Sequence, residues 1–236
     1  MRWLGIKTQL QLFHFEETGR GLRTQKKIEK GDVLISIPLD KMITRQKIAM
    51  KYPKDWSTQL MLSCFLMEEK CSKKSNIYLD TLPQTYSVPY FDCPPFLIEF
   101  LPIYLQNPVL KQFGLVQREF EKLPAGKDFS KDLFAWAWFT VNTRGVFYRD
   151  NHDNIALAPF LDMFNHSCHV QVEAVLNGNF YQLKSCASTL KKSQVFINYG
   201  PHDNVKLYLE YGFVVPENPH DCVSLSLTDF NIQGAQ

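Results

Sequence analysis

Residues 161–169 read LDMFNHSCH, and they follow the apolar run Ala156-Leu157-Ala158-Pro159-Phe160. Asp162, Asn165, His166, Ser167, Cys168 and His169 thus crowd polar, reactive chemistry against what reads as core. His166, Cys168 and His169 are all metal-ligating types, but their spacing is poor. In a strand, His166 and Cys168 share one face and His169 opposes them. A zinc site also draws paired ligands from elsewhere in the chain. The six cysteines, at 64, 71, 93, 168, 186 and 222, contain no CxxC pair. They read as free thiols in a reducing compartment, with no metal. A cysteine–histidine nucleophile pair is disfavoured as well, because such partners converge from separate parts of a sequence.

Working outward, 236 residues with 45% hydrophobic content suit one large domain, or a domain carrying a sizeable insertion. A net charge of +2 leaves no field of one sign, so nothing global points to nucleic acid. The pairs Lys26-Lys27, Lys73-Lys74 and Lys191-Lys192 are short and scattered, as solvated surface is. The longest mostly apolar run, LFAWAWFTV from Leu133 to Val141, falls short of the ~20 residues of a membrane span and reads as a buried helix. The opening MRWLGIKTQLQLF has neither a continuous apolar stretch nor a small-residue cleavage site, so no signal peptide is expected.

The first forty residues read as strands and turns: Leu10 to Phe15 apolar-rich, Thr18 to Gly21 a turn, and Val33 to Ile37 a β-branched run closed by Pro38. From about Thr44 to Arg144 the pattern is helical. Thr44, Ser57 and Ser130 are placed to cap helices. A further helix is expected from Asn107, with Pro108 in its first turn and Val109, Phe113, Val116, Phe120 and Leu123 as its apolar stripe. Strands return at Val170–Leu176, Phe180–Lys184 and Val195–Tyr199, with Asn177-Gly178-Asn179 as a hairpin turn. A short helix over 203–210 ends at Gly212, and Val223–Leu227 is a last strand. The helical block reads as an insertion into a β domain, since neither strand group alone pairs its edges.

Three other segments carry chemistry. Gly19-Arg20-Gly21 is either an ordinary turn or a place where backbone approaches a ligand; it lacks the strand-to-helix context of a phosphate loop. Arg144, at the end of an apolar helix, either satisfies the last helix carbonyls, the reading favoured by position, or binds a carboxylate. Two Tyr-Gly steps, Tyr199-Gly200 and Tyr211-Gly212, flank the short helix; their rings suit either a core or the walls of a site for a cationic substrate.

Taken together, Gly19-Arg20-Gly21-Leu22, then Asp162-Met163-Phe164-Asn165-His166-Ser167, then Ile197-Asn198-Tyr199-Gly200, then Leu209-Glu210-Tyr211-Gly212-Phe213 resemble, in this order, the motifs of SET-domain methyltransferases. The long helical block matches the insertion of the rubisco large-subunit methyltransferase-like group, and the resemblance covers nearly the whole chain. It implies an α+β SET fold: small curved β-sheets with a knot-like C-terminal crossing where the Asn-His and tyrosine segments meet, interrupted by a helical insertion at about 44–144 within a single domain spanning 1–236. It further implies an enzyme that uses S-adenosyl-L-methionine to methylate a lysine of a histone or non-histone protein; histidine methylation and non-catalytic peptide binding are the alternatives. By position, Gly19, Arg20, Gly21 and Leu22 embrace and line the cofactor, Arg144 meets its carboxylate, and Asn165 and His166 hold it, the histidine chiefly through its backbone. Tyr199 is the implied active-site tyrosine, Tyr211 and Phe213 line the lysine channel or the adenine side, and the backbone of Thr143 faces the substrate amine.

Residue types agree with that chemistry. Methyl transfer from a sulfonium needs a neutral amine, yet free lysine titrates near ~10.4. A desolvated aromatic channel beside a positive sulfonium lowers that value, and tyrosine hydroxyls and carbonyls orient the lone pair. No metal, carboxylate pair or nucleophile triad is required. The helical C-terminal domain of the rubisco-type relatives is expected to be absent from this sequence, which ends at Gln236, and Cys222 stands without the cysteine cluster of many histone methyltransferases. The expected partner is a protein bearing the lysine, with no direct nucleic-acid or membrane contact, and the expected state is a cytoplasmic or nuclear monomer.

Overall fold

The computed structural model describes residues 5–72, 75–124, 128–148 and 154–223. The chain opens with strands β1 (Lys7–Thr8), β2 (Leu10–Phe15), β3 (Gly19–Thr24), β4 (Val33–Pro38) and β5 (Ile43–Thr44). Helices α1 (Arg45–Ile48), α2 (Thr58–Cys71), α3 (Ile77–Thr81), α4 (Pro89–Asp92), α5 (Ile103–Glu121) and α6 (Lys131–Arg144) follow. Strands β6 (Gly145–Phe147), β7 (Ile155–Leu157), β8 (Asn165–His166), β9 (Val172–Asn177), β10 (Phe180–Ser185) and β11 (Gln194–Ile197) lead to a last helix, α7 (Asn204–Tyr211).

The strands form three small sheets, ordered β1-β4-β10-β9, β2-β3-β11-β8 and β5-β7-β6. β4 lies inside its sheet, and Leu34, Ile35 and Ile37 are all buried there, as its β-branched run requires. β9 and β10 form a hairpin from Asn177↔Phe180 outward, and Gly178 in its turn takes φ +55°. β8 runs parallel to β11, pairing Asn165 with Phe196 and His166 with Ile197. Strands far along the chain from β2 and β3 thus complete their sheet, which is where the two motif segments meet.

Four helix boundaries follow from local chemistry. Ser57 and Ser130 accept hydrogen bonds from the amides of Leu60 and Leu133, capping α2 and α6. Asp203 caps α7 through the Lys206 amide, and Gly212 ends it at φ +79°. α6 is apolar all round, so it is buried: Phe134, Ala137 and Phe139 are fully covered, packed with Leu60, Met61 and Leu62 of α2. A second core, with Leu22, Ile35, Phe164 and Leu183, fills the space between the sheets. Among the described residues, no helix is long and apolar enough to cross a membrane.

Several expected boundaries move. Gly19–Gly21 is not a turn; the turn is Glu16–Thr18, and Gly19 and Gly21 pair with Phe15 and Phe13 in the ladder. α5 starts at Ile103 rather than Asn107, so Pro108 sits in its second turn, where its ring removes one helix amide but the surrounding stripe holds the helix. That stripe is as expected, with Val109 and Val116 buried and Phe113, Phe120 and Leu123 partly so. β9 begins at Val172, not Val170, and β11 ends at Ile197, so Asn198 and Tyr199 lie beyond the ladder. Val223 is not in a strand, and 224–227 lie outside the described residues.

The last helix seats against the helical block, which is itself cross-linked. A Cβ on Gly212 would lie 1.8 Å from the Ser87 carbonyl oxygen, so α7 ends hard against the segment linking α3 and α4. Within that same segment, the Pro83 carbonyl accepts the Trp136 indole N–H of α6 at 2.8 Å. By contrast, Phe96, Phe100, Ile103 and Tyr104 are exposed on the outer face.

Candidate active site

A cavity of about 710 Å³ opens between the end of α6, the segment after β11 and one face of α7. Of the residues expected at a site, Thr143, Arg144, Tyr199 and Tyr211 line it. Gly19, Arg20, Gly21, Leu22, Asn165, His166 and Phe213 do not; of these, His166 packs on Tyr199 and Phe213 on Tyr211.

Tyr199 is the junction. Its ring lies 5.2 Å from that of Tyr211 and 5.1 Å from the His166 imidazole. Its hydroxyl donates to the Phe164 carbonyl at 2.6 Å, and burial pushes its pKa up to about 12. The phenol is therefore neutral, its proton is committed, and its lone pairs are left as acceptors. Burial raises Tyr211 further still. Phe213 closes the group, 5.9 Å from His166 and 6.1 Å from Tyr211.

The His166 side chain is spent inside the fold: Nδ1 accepts the Tyr199 amide at 3.1 Å, which fixes the neutral Nε2–H tautomer. Burial first, then the charges of His202 and His220, hold its pKa down to about 4. What His166 offers a ligand is thus its backbone. Asn165 staples the opening hairpin, its amide donating to the carbonyls of Thr18 at 3.3 Å and Arg20 at 3.2 Å. This explains Gly21: a Cβ there would sit 2.8 Å from the Asn165 amide nitrogen and 2.7 Å from that of Gln194. Leu22 is fully buried in the sheet core, so only its backbone is left for a ligand. The Arg20 guanidinium donates to the Thr81 carbonyl at 2.8 Å, clasping β3 to the end of α3.

Arg144 does not cap its own helix. Its Nη1 donates to the Asp162 backbone carbonyl at 2.5 Å, and its Nε is buried with no hydrogen-bond partner among the described residues. Both Asp162 carboxylate oxygens and the Tyr78 hydroxyl are likewise buried, with the Tyr78 phenol as the hydroxyl facing the Asp162 carboxyl. The Thr143 hydroxyl bonds back to the Phe139 carbonyl at 2.7 Å, while its own carbonyl, near the helix end, has no intrahelical partner. Asp162 and Glu210 were assigned no role from sequence, yet both line the cavity. Asp162 stands inside the quoted motif; Glu210 stands four residues after Lys206, the spacing that puts both on one helix face. His169 is exposed and Cys168 partly so, and among the described residues no His, Cys, Asp or Glu cluster is placed to hold a metal.

Burial, outweighing Arg144, pushes the Asp162 carboxyl from an ordinary 3.8 up to about 6. The stability it contributes is complete below about 3.8 and lost as pH rises through 6. His166 has the opposite sign: from an ordinary 6.5, its contribution is complete above that pH and lost as pH falls to about 4. The two slopes oppose each other between about pH 6 and 4. In Asp162→Asn the slope opposing that of His166 is removed, so the thermal midpoint falls more steeply with acid than in wild type; parallel curves would contradict this assignment.

Comparison with known proteins agrees with the geometry. A sequence profile described as the SET domain matches residues 19–200. SET domain-containing protein 4 of Mus musculus is 38% identical over 253 aligned residues, covering 93% of this chain and 57% of the mouse protein. The chain therefore spans little more than half of that relative. Ribosomal lysine N-methyltransferase set11 of Schizosaccharomyces pombe is 26% identical, covering 93% of this chain and 60% of its own. The crystal structure of the SET domain of LSMT bound to MeLysine and AdoHcy superposes with a TM-score of 0.81 at 26% identity, covering 92% of this chain and 56% of that one.

Proposed function

The chain belongs to the SET-domain family, and from that premise we propose that it is an S-adenosylmethionine-dependent protein-lysine N-methyltransferase. The observation that carries this reading is the buried, neutral Tyr199 hydroxyl, its proton held by Phe164, beside Tyr211 in the wall of the cavity. The names of the relatives support the same class of reaction and a protein as substrate.

The residues present fit such a cofactor. Arg144, with its orphaned Nε, suits a carboxylate. Gly19 leaves backbone open to approach, and Asn165 holds the hairpin beside it. When bound, S-adenosylmethionine supplies an electrophilic methyl group on a sulfonium. The protein's part is to receive a lysine side chain, strip its water and hold the amine neutral. Tyr199 and Tyr211 form apolar walls, which disfavour the ammonium form. The Tyr199 oxygen and the Thr143 carbonyl accept hydrogen bonds from the amine and so aim its lone pair. No residue needs to act as a strong base, because a deprotonated amine is already a competent nucleophile.

Calorimetry with S-adenosylmethionine and S-adenosylhomocysteine, followed by transfer of radiolabelled methyl to a cell extract that includes histones and ribosomal proteins, tests this. Saturable uptake and labelled bands with the label on lysine are expected. Failure to take up either compound would overturn the reading, whereas uptake without labelling would leave a peptide-binding module in its place.

A further inference from the structure

We propose that Glu210 draws the substrate ammonium into the cavity and thereby selects lysine over histidine. This rests on the methyltransferase reading above and adds a determinant of substrate choice within the same site.

Lys206 and Glu210, one helical turn apart on α7, both line the cavity, next to Tyr211. Two carboxylates stand in that wall, Asp162 and Glu210. Asp162 is buried beside Arg144, whose positive charge offsets it. Glu210 has no such match. Its carboxylate makes no hydrogen bond and no ion pair among the described residues; the Asn142 amide, at 3.4 Å, reaches its backbone carbonyl instead. The nearest opposing charge is Lys206, which is exposed and so screened by water. Glu210 itself is mostly covered, and its negative charge reaches the Tyr211 hydroxyl strongly enough to raise that group. An unspent carboxylate therefore stands within electrostatic range of one of the two tyrosines that receive the substrate.

A lysine side chain arrives as an ammonium at any ordinary pH, whereas an imidazole, titrating near ~6.5, arrives neutral at pH 8. Only the first gains from Glu210. Attraction to Glu210 also offsets part of the cost of moving the ammonium out of water before it deprotonates between the tyrosines.

The test uses Nα-acetyl-lysine amide and Nα-acetyl-histidine amide as probes, titrated at pH 8 into the protein loaded with S-adenosylhomocysteine. Glu210→Gln keeps the side chain's size and removes its charge. It should weaken the lysine probe about five- to tenfold at low salt, and less at high salt, with the histidine probe and S-adenosylhomocysteine unaffected. Lys206→Gln should act in the opposite direction on the lysine probe, which a purely structural role for α7 would not produce. Equal lysine affinity in wild type and Glu210→Gln would overturn the inference, as would wild type that binds both probes alike. Failure of wild type to take up S-adenosylhomocysteine would instead strike at the methyltransferase reading, and the inference would fall with it.

Discussion

Gly212→Ala lowers the thermal unfolding midpoint by roughly 10 °C, the largest stability effect expected of any single methyl group here. Two costs add. A left-handed φ of +79° costs a non-glycine residue about 1–2 kcal/mol. The new Cβ would also meet the Ser87 carbonyl oxygen at 1.8 Å, so backbone on one side must move, an overpacking cost of about 1–3 kcal/mol. Gly178→Ala separates the two: it shares a positive φ, +55°, but nothing lies within 4 Å of its added carbon. That variant should lose only about 1 kcal/mol. Calorimetric melting of both variants beside wild type decides the matter. If Gly212→Ala melts no lower than Gly178→Ala, the clasp at Ser87 is not tight. Because Tyr211 precedes Gly212 directly, methyl transfer by the alanine variant should fall even at temperatures where it remains folded.

The largest effect on turnover is expected from Tyr199→Phe. The substitution removes an oxygen and leaves the rings in place, so the contacts of Tyr199 with Tyr211 and His166 persist. It also leaves the Phe164 carbonyl without its donor, at a cost of about 1–2 kcal/mol. Loss of one positioned hydrogen-bonding group at a reacting centre lowers turnover by about 100-fold. Uptake of S-adenosylmethionine, followed by calorimetry, should be retained, because the Tyr199 amide still holds the His166 imidazole. Unchanged turnover would remove the hydroxyl from the mechanism, and lost uptake would make it a structural group.

Much of this architecture is legible in local chemistry. Ser57 and Ser130 announce their helices because capping is decided within three residues, and Gly212 closes α7 for the same reason, whereas Thr44 precedes α1 without a side-chain cap and Asp203 shows as a cap only in the fold. The stripe on α5 shows in its spacing, although Pro108 misplaces its start, since proline favours a first turn and tolerates a second only when packing holds the helix. What sequence spacing cannot display is convergence. Gly21 reads as a turn until Asn165 and Gln194, from far along the chain, press on it. The bond from the Arg20 guanidinium to the Thr81 carbonyl, 61 residues away, has no signature in the sequence either. Asp162 and Glu210 are ordinary carboxylates in one dimension; burial beside Arg144 and exposure to an aromatic cavity give them different characters.

The short connector from Thr81 to Ser87 touches the strand-bearing part of the molecule through Arg20 at one end and the last helix through Gly212 at the other. In evolutionary terms it behaves as a keystone of fixed length. One residue gained or lost there would displace the hairpin beside Asn165 or the helix that carries Tyr211, so descendants of this fold have little freedom in that stretch. The exposed apolar face around Phe96, Phe100, Ile103 and Tyr104 carries no such obligation. None of those four side chains lines the cavity, so that face can change without reshaping it.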